Sequence, residues 1–163
     1  ARPGTAEWKP IDIHESIDST LALLYSEYKQ QIEIVKEYEP DLAPVPCSPG
    51  HLNQVFMNIL LNAVQAIEGP GRIMIRTWKE NENLHISIKD SGPGIPEEIR
   101  NHIFEPFFTT KTVGEGTGLG LSISYGIIRK HRGGIKVNSE PGQGTEFLII
   151  LPLAGTGEAY IKS

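Results

Sequence analysis

Residues 52–67 constrain the fold most, because this segment contains no charged side chain. Ser48 and Pro49 ahead of it are typical of a helix start, and Gly69 after it is typical of a helix end. The sequence therefore predicts a helix over 51–67 that buries one broad face against a core. The apolar residues of that face recur at helical spacing and are Leu52, Val55, Phe56, Ile59, Leu60, Ala63 and Ile67.

The polar side chains of this predicted helix are amides instead of charges. Gln54, Asn58, Asn62 and Gln65 follow at intervals of four, four and three residues, so they share one side of the helix. An exposed helix face usually carries Lys, Glu and Arg. An amide stripe indicates a half-buried surface that contacts something polar, and Asn62 could offer its carbonyl oxygen to a hard cation such as Mg²⁺. Alternatively, the amides hydrogen-bond the backbone of neighbouring loops.

Strand and helix patterns are mixed along the rest of the chain, with a proline-rich loop at 39–50. Such mixed runs predict an α/β two-layer (α+β) domain, with about three helices on one face of a mostly antiparallel sheet of about five strands. We expect the domain to span 8–153, between tails at 1–7 and 154–163. The predicted strands are 8–13, 31–38, 72–78, 84–90 and two within 134–153, and the further helices are 14–30, 96–104 and about 119–133.

Composition excludes several classes of protein. The 163 residues carry a net charge of -5 and no stripe of Lys or Arg, which argues against nucleic-acid binding. The lone Cys47 excludes a disulfide framework and fits a reducing cytosol. No apolar run is long enough to cross a bilayer and no signal peptide is visible, so we expect a cytoplasmic location, either of the whole protein or as the cytoplasmic portion of a membrane-bound one.

The segment KDSGPGIP ends a predicted strand with Asp90 and turns on Gly92, Pro93 and Gly94. A carboxylate here could accept a hydrogen bond from an exocyclic amine such as that of adenine. The two glycines would let the base approach the backbone. The alternative is a strand-to-helix turn in which Asp90 serves only as a cap.

Residues 113–124, VGEGTGLGLSIS, place a glycine at every second position from Gly114 to Gly120. The run fits neither the dinucleotide fingerprint nor the P-loop. Backbone N–H groups around the first turn of the following helix would form an anion-binding nest, which predicts a phosphate-binding lid. The preceding IFEPFFTTK could anchor the lid through its phenylalanines, and Lys111 is placed to meet a phosphate. The alternatives are a mobile loop without a ligand and phenylalanines that serve only the core.

Taken together, four segments resemble the ATP-binding catalytic domain of sensor histidine kinases. The superfamily also contains DNA gyrase, the mismatch-repair ATPase MutL and a heat-shock chaperone, and its fold is the Bergerat type. The resemblance covers roughly residues 8–153, including a closing segment GGIKVNSEPGQGTEFLIILP that is similar to the family's terminal hairpin. The four segments are NQVFMNILLNAVQAI (the N box), DSGPGIP (first glycine box), IFEPFFTTK (F box) and GEGTGLGLSIS (second glycine box).

The resemblance implies a role for each matching position. Asn62 would bind Mg²⁺, Asn58 would help to hold the phosphates, and Asp90 would contact the adenine amine with support from Thr145. Asn58, Asn62 and Lys111 would be the catalytic residues. The other implied ATP-binding residues are Gln65, Ala66, Gly92, Gly94, Ile95, Phe107, Thr110, Lys111, Gly116, Thr117, Gly118, Leu119, Gly120 and Leu121.

The resemblance also implies the type of reaction. In the ATP-hydrolysing members a glutamate one turn before the metal-binding asparagine activates water, whereas this chain has Asn58, which cannot act as a general base. We therefore expect phosphoryl transfer to a protein group, which depends mainly on positioning and charge neutralisation. Many members carry Lys or Arg where this chain has Gln65, so fewer cations face the phosphates.

The expected partners are a separate dimerisation and phosphoacceptor histidine domain and, downstream, a response regulator receiver domain. None of the five histidines lies in an acceptor motif, since HESID at His14 lacks the Arg or Asn and the Pro of that motif. We expect the isolated domain to be monomeric, because dimerisation in this family resides in the acceptor domain. The alternatives are an anti-sigma-factor-type serine kinase and a nucleotide-binding regulatory module without catalysis.

Overall fold

Five strands form one mixed sheet that carries the helices on one face, in a computed structural model that describes residues 7–106, Phe108 and residues 120–153. The predicted two-layer fold is confirmed. None of the described helices combines the length and apolar character that a membrane crossing requires. The strands are β1 (Lys9–Ile11), β2 (Ile32–Glu37), β3 (Val45–Cys47), β4 (Gly71–Glu80), β5 (Asn83–Asp90), β6 (Gly134–Ser139) and β7 (Thr145–Pro152), and the helices are α1 (Ile13–Tyr28), α2 (Pro49–Ala66), α3 (Glu97–Arg100) and α4 (Gly120–Lys130).

The main sheet has the strand order β2-β4-β5-β7-β6, and only the pair β2–β4 is parallel. A parallel pair needs a long crossover connection, usually a helix, and here the crossover contains α2. The antiparallel strands β5 and β7 lie next to each other at the centre of the sheet. Their residues Asp90 and Thr145 are register partners, so one end of β5 meets the start of β7.

Alternating residues of the central strands build the core beneath the helices. Ile75 of β4 pairs with Ile88 of β5, which pairs in turn with Phe147 of β7 and forms one row across the sheet. All three side chains are at most 1% exposed. Because side chains alternate along a strand, the intervening residues lie on the opposite face of the sheet.

Helix α2 is the central helix of the helical layer, with α1 and α4 packed beside it. Its predicted apolar face is buried, and Ile67 follows the helix end at Ala66 instead of continuing the helix. Ser48 occupies the N-cap position as predicted, but its hydroxyl contacts the His51 ring and caps no backbone N–H. The buried apolar face therefore stabilises this helix, and the Ser48 side chain contributes no capping hydrogen bond.

A second sheet of two strands, β1 and β3, was not predicted, because β3 lies in the segment interpreted as a proline-rich loop. Its residues Val45 and Cys47 are at most 1% exposed. Pro10 and Pro46 face each other in register. Since neither proline has an N–H, the pair can occupy only a position of the antiparallel ladder that requires no hydrogen bond.

Helix α3 is shorter than the helix predicted over 96–104. After Arg100 the backbone continues in turns, in which His102 N–H donates to the carbonyl of Ile99 and Glu105 N–H donates to that of His102. These bonds span three residues instead of the four of an α-helix, so the regular helix does not propagate.

His131 joins the end of α4 to the start of α2. Its Nδ1–H donates to the carbonyl of Ile127 at 2.8 Å, and its Nε2 accepts from the N–H of Ser48 at 3.1 Å. The ring is 1% exposed and lies 4.3 Å from the ring of Trp8. Because one nitrogen donates and the other accepts, the structure requires a neutral imidazole. Burial lowers the pKa of His131. The hydrogen bond to the Ile127 carbonyl raises this pKa, and the nearby His51 lowers it.

We expect His131→Leu to cost about 1–3 kcal/mol in the free energy of unfolding, because the buried Ser48 N–H loses its acceptor. Since the folded-state pKa of His131 is lowered from 6.5, its contribution is complete above that pH and is lost as the pH falls toward the lowered value. Denaturant unfolding between pH 7.5 and 5.5 should therefore show a smaller loss of stability in the variant than in the native domain. Ser16→Ala, which removes a hydrogen bond between α1 and α2 but no titratable group, serves as the control and should keep the native pH dependence. Parallel pH curves for His131→Leu and the native domain would contradict this.

Candidate functional site

Asn58 connects α2 to the beginning of α4. Its Nδ2 donates to the carbonyl oxygen of Gly120 at 2.9 Å and to the hydroxyl of Ser124 at 3.1 Å. The Ser124 hydroxyl donates in turn to the same Gly120 carbonyl at 2.9 Å. Asn58 thus binds the backbone of the neighbouring helix. Such a hydrogen bond within the protein is the alternative to cation binding that the sequence allowed for the amides. Its carbonyl oxygen makes no hydrogen bond with any described residue.

The other amides of the stripe differ in their exposure. Asn62, one turn after Asn58, is half-buried and makes no hydrogen bond with a described residue, whereas Gln54 and Gln65 are exposed. Asn53 lies outside the stripe, and its side-chain oxygen accepts a hydrogen bond from Ser16 of α1. The structure therefore brings Asn58 and Asn62 to one half-buried surface of α2.

Asp90 ends β5 and is buried, with 3% of its surface exposed. Its Oδ1 accepts the N–H of Gly92 at 2.8 Å, so the carboxylate closes the turn that follows the strand. Burial raises the pKa of the Asp90 carboxyl above its ordinary value, while backbone hydrogen bonds from Gly92 and Thr145 act in the opposite direction. The result is a desolvated acceptor whose position is fixed by backbone.

The protein's own backbone requires the glycines of this turn, in addition to the predicted role of letting a base approach. A Cβ at Gly92 would lie 2.9 Å from the carbonyl oxygen of Ala66, at the end of α2. Gly94 has a φ of +81°, and a Cβ there would lie 2.1 Å from the carbonyl oxygen of Glu140. Close contacts of the turn with α2 and with the β6–β7 connection therefore explain both glycines.

Ser139 ties this turn to Thr145, and sequence reasoning missed it. Its Oγ accepts the N–H of Ile95 at 2.7 Å, donates to the carbonyl of Gly144 at 3.0 Å and lies 2.9 Å from Oγ1 of Thr145. Both hydroxyl-bearing residues are at most 6% exposed. The signal that could have found Ser139 is the register of the closing hairpin, where it is the partner of Thr145.

The described part of the F box packs onto the core. Phe104 lies 6.2 Å from Phe147 and 5.4 Å from Tyr125 of α4, between ring centroids, and Phe108 is partly buried against the core. Gly120 and Leu121 of the second glycine box are half-buried in the first turn of α4. The remaining predicted lid residues lie outside the described residues and are Phe107, Thr110, Lys111, Gly116, Thr117, Gly118 and Leu119.

Helix α2 connects two clusters of site residues. At one end Asn58 binds the start of α4, and at the other Ala66 contacts the turn that carries Asp90. Asn62 lies midway, and the rise of an α-helix separates Asn58 from Ala66 by about 12 Å. This is a length suited to an extended nucleoside triphosphate, with acceptors for a base amine at one end and a helix N-terminus at the other.

The donor set fits a hard cation that shares its coordination with phosphates. In the part of the chain that the structure describes, no three His, Cys, Asp or Glu side chains cluster in a way that could hold a metal ion. The amide oxygens of Asn58 and Asn62 are neutral oxygen donors on one surface of α2. Mg²⁺ takes such ligands together with water and substrate phosphates, so these residues fit a metal-nucleotide complex.

Residues 47–155 match the protein family described as histidine kinase-, DNA gyrase B-, and HSP90-like ATPase. The chain is 40% identical to the signal transduction histidine-protein kinase AtoS of Escherichia coli, over 99% of this chain and 26% of AtoS. It is 37% identical to the sensory histidine kinase/phosphatase NtrB of Rhodobacter capsulatus, over 91% of this chain and 44% of NtrB. The chain therefore spans less than half the length of either relative.

Solved structures give the same assignment. The catalytic domain of the histidine kinase ThkA superposes with a TM-score of 0.82 at 33% identity, covering 90% of this chain and 96% of that domain. ThkA in complex with the response regulator TrrA superposes with a TM-score of 0.78 at 29% identity, covering 91% of this chain and 42% of ThkA. The chain thus belongs to the histidine kinase-, DNA gyrase B-, and HSP90-like ATPase family, as a catalytic ATP-binding domain of the sensor histidine kinase type.

Proposed function

We propose that this chain binds Mg²⁺-ATP and transfers the γ-phosphoryl group to a histidine on a separate dimerisation and phosphoacceptor domain. The observation that carries the proposal is the path along α2, from Asn58 at the start of α4 to Ala66 beside the turn of Asp90. The histidine kinase relatives support the reaction, and the Mg²⁺ requirement and the individual residue roles are part of the proposal.

The buried Asp90 carboxylate is the proposed contact of the adenine amine. It is fixed by the N–H of Gly92, and its burial strengthens a hydrogen bond that it accepts. Thr145 supports it from the paired position of β7, and Gly92, Gly94 and Ile95 shape the base pocket. A carboxylate accepts hydrogen bonds and donates none, so this end favours a base with an exocyclic amine.

The phosphates are proposed to lie over the first turn of α4. This helix has 11 residues and begins at Gly120, so the positive end of its dipole lies beside Asn58 and would attract an anion. Asn62 and Asn58 of α2 approach the same region as neutral oxygen donors. Lys111 and the lid residues Gly116, Thr117, Gly118 and Leu119 complete the proposed phosphate site.

The residues of this chain position the reacting groups and supply no base. Asn58 cannot activate water, so transfer to an acceptor histidine is favoured over rapid hydrolysis. When bound, Mg²⁺ would neutralise charge that develops on the phosphates. The chain's own contribution is to orient the nucleotide between Asp90 and α4 and to exclude water from the base end.

The proposed partners are a phosphoacceptor histidine domain and a response regulator receiver domain. One solved relative, ThkA, is in complex with a response regulator, which supports a similar pairing here. We propose domain limits at 8–153, a monomeric state for the isolated domain, and the cytoplasm, where ATP is available, as its compartment. The alternative function is a nucleotide-binding module without catalysis, and an assay of phosphoryl transfer distinguishes it from a kinase.

Replacement of Asp90 by Asn should weaken nucleotide binding about 10- to 100-fold, because a hydrogen bond to a charged group contributes about 1.5–3 kcal/mol. Calorimetric titration with a non-hydrolysable ATP analogue measures the change. Asp12→Asn is the control, since Asn replaces Asp well at the N-cap of α1 and should leave the affinity unchanged. If Asp90→Asn bound the analogue with native affinity, Asp90 would not be the contact of the adenine amine.

Removal of the Asn62 amide should abolish the metal dependence of nucleotide binding. In Asn62→Ala we expect the analogue to bind about equally with and without Mg²⁺, with an affinity for the Mg²⁺ complex about tenfold below that of the native domain. Gln54→Ala removes an exposed amide of the same stripe and should keep the native metal dependence. Equal metal dependence in Asn62→Ala and the native domain would exclude Asn62 as a ligand.

With radiolabelled ATP, the chain should label an added phosphoacceptor domain on histidine while releasing phosphate only slowly on its own. The phosphoryl group should be labile to acid and stable to base, and Asp90→Asn should lose the labelling. Labelling of serine would favour the anti-sigma-factor type. Tight nucleotide binding without any transfer would favour the regulatory module.

A further inference from the structure

Asn58, Ser124 and Gly120 form a closed set of three hydrogen bonds between α2 and α4. The Asn58 amide nitrogen donates to both Ser124 Oγ and the Gly120 carbonyl, and Ser124 Oγ donates to that same carbonyl. Ser124 is fully buried, with 0% of its surface exposed, although it lies in a helix that also carries exposed side chains. The sequence motifs give Ser124 no role.

The partners of Asn58 determine which way its carboxamide points. The carbonyl oxygen of Gly120 can only accept, so the atom that faces it must be the amide nitrogen. The single proton of Ser124 is donated to Gly120, so Ser124 accepts from Asn58. Both N–H groups of the amide are therefore used inside the protein, and the orientation follows from the hydrogen-bond network.

We infer that Ser124 is a positioning residue that fixes the Asn58 amide, so that Asn58 offers only its carbonyl oxygen Oδ1 to the bound metal-nucleotide. This inference rests on the proposed function and deepens it. Oδ1 and an ionised phosphate oxygen both accept hydrogen bonds and carry no hydrogen to donate, so the two cannot hydrogen-bond directly. Asn58 contacts the phosphates through a divalent cation or water, which specifies how it would help to hold them.

The Ser124 hydroxyl contributes beyond what the Gly120 carbonyl provides. The terminal torsion of an asparagine side chain is broad, so a single hydrogen bond leaves the amide free to rock. Two bonds to acceptors on successive turns of α4 define its plane. Without the hydroxyl, one amide N–H loses its partner and Oδ1 is held less firmly toward the cation.

The chain provides a matched control on the same helix. Ser16 of α1 donates its hydroxyl to the side-chain oxygen of Asn53 of α2, and Ser16 is 9% exposed. This is also a serine–asparagine bond between neighbouring helices, but it involves no site residue. A purely structural role for Ser124 predicts the same behaviour for Ser124→Ala and Ser16→Ala.

Calorimetry with the β,γ-imido analogue of ATP, with Mg²⁺ and with chelator, tests the inference. We expect Ser124→Ala to weaken binding about five- to tenfold with Mg²⁺ and less than about twofold without it. Ser16→Ala should stay within about twofold of the native domain under both conditions, while both variants show a lowered melting temperature. Equal affinities in Ser124→Ala and the native domain, or an equal loss with and without Mg²⁺, would overturn the inference.

A second pair of variants separates the hydroxyl from packing. Ser124→Thr and Ser124→Val have the same shape, but only threonine keeps a hydroxyl that can bond the carbonyl four residues earlier. Ser124→Thr should bind the Mg²⁺ complex within about threefold of the native domain, and Ser124→Val should resemble Ser124→Ala. Equal binding by Thr and Val would overturn the inference. Failure of the native domain to bind any nucleotide would overturn the proposed function together with it.

Discussion

The packing of α2 against α1, α4 and strand β5 is the constraint on which the other features depend. One side of the helix buries Leu52, Phe56 and Ile59 completely in the core. The other side carries Asn58 and Asn62 at a surface that is only half-buried. Since the same helix forms the core and lines the site, small shifts in its packing move the amides relative to α4. The half-buried positions of Asn58 and Asn62 disfavour a charged side chain, because an unpaired charge there would be partly desolvated, whereas Gln54 and Gln65 of the same helix are exposed.

The two ends of the site are built in different ways. The base end consists of strand ends and turns, in which Asp90, Gly92 and Ser139 are joined by hydrogen bonds to backbone. These contacts all lie within the protein, so its own backbone orients the carboxylate that is the proposed acceptor for the base amine. At the proposed phosphate end, Asn58, Ser124 and Gly120 connect α2 to the first turn of α4. The other proposed members of this end are Asn62, Lys111 of the F box and residues of the second glycine box.

Local patterns in the sequence were sufficient to predict α1, α2, α4 and the long strands, whereas features that depend on non-local pairing were not predicted. The apolar period of α2 and the alternation in β4, β5 and β7 are complete within each element, so their predictions agree with the structure. Strand β3 is stable only through its pairing with β1, more than thirty residues away, and its prolines concealed it. Likewise, the orientation of Asn58 depends on a partner 62 residues later. Ser139 gained its role only through hairpin register.

The directions of α2 and α4 have a consequence for how a ligand enters. Helix α2 ends at Ala66, whose carbonyl lies against the turn of Asp90, while α4 begins at Gly120 beside Asn58. In the proposed binding mode, the carboxyl end of α2, which carries partial negative charge, would meet the base, and the amino end of α4, which carries partial positive charge, would meet the phosphates. The two backbones together produce a field along the length of the site. In that binding mode, a nucleotide in the reversed orientation would bring its phosphates to a carboxylate and a carbonyl, so the two helix ends would select the polarity of the ligand.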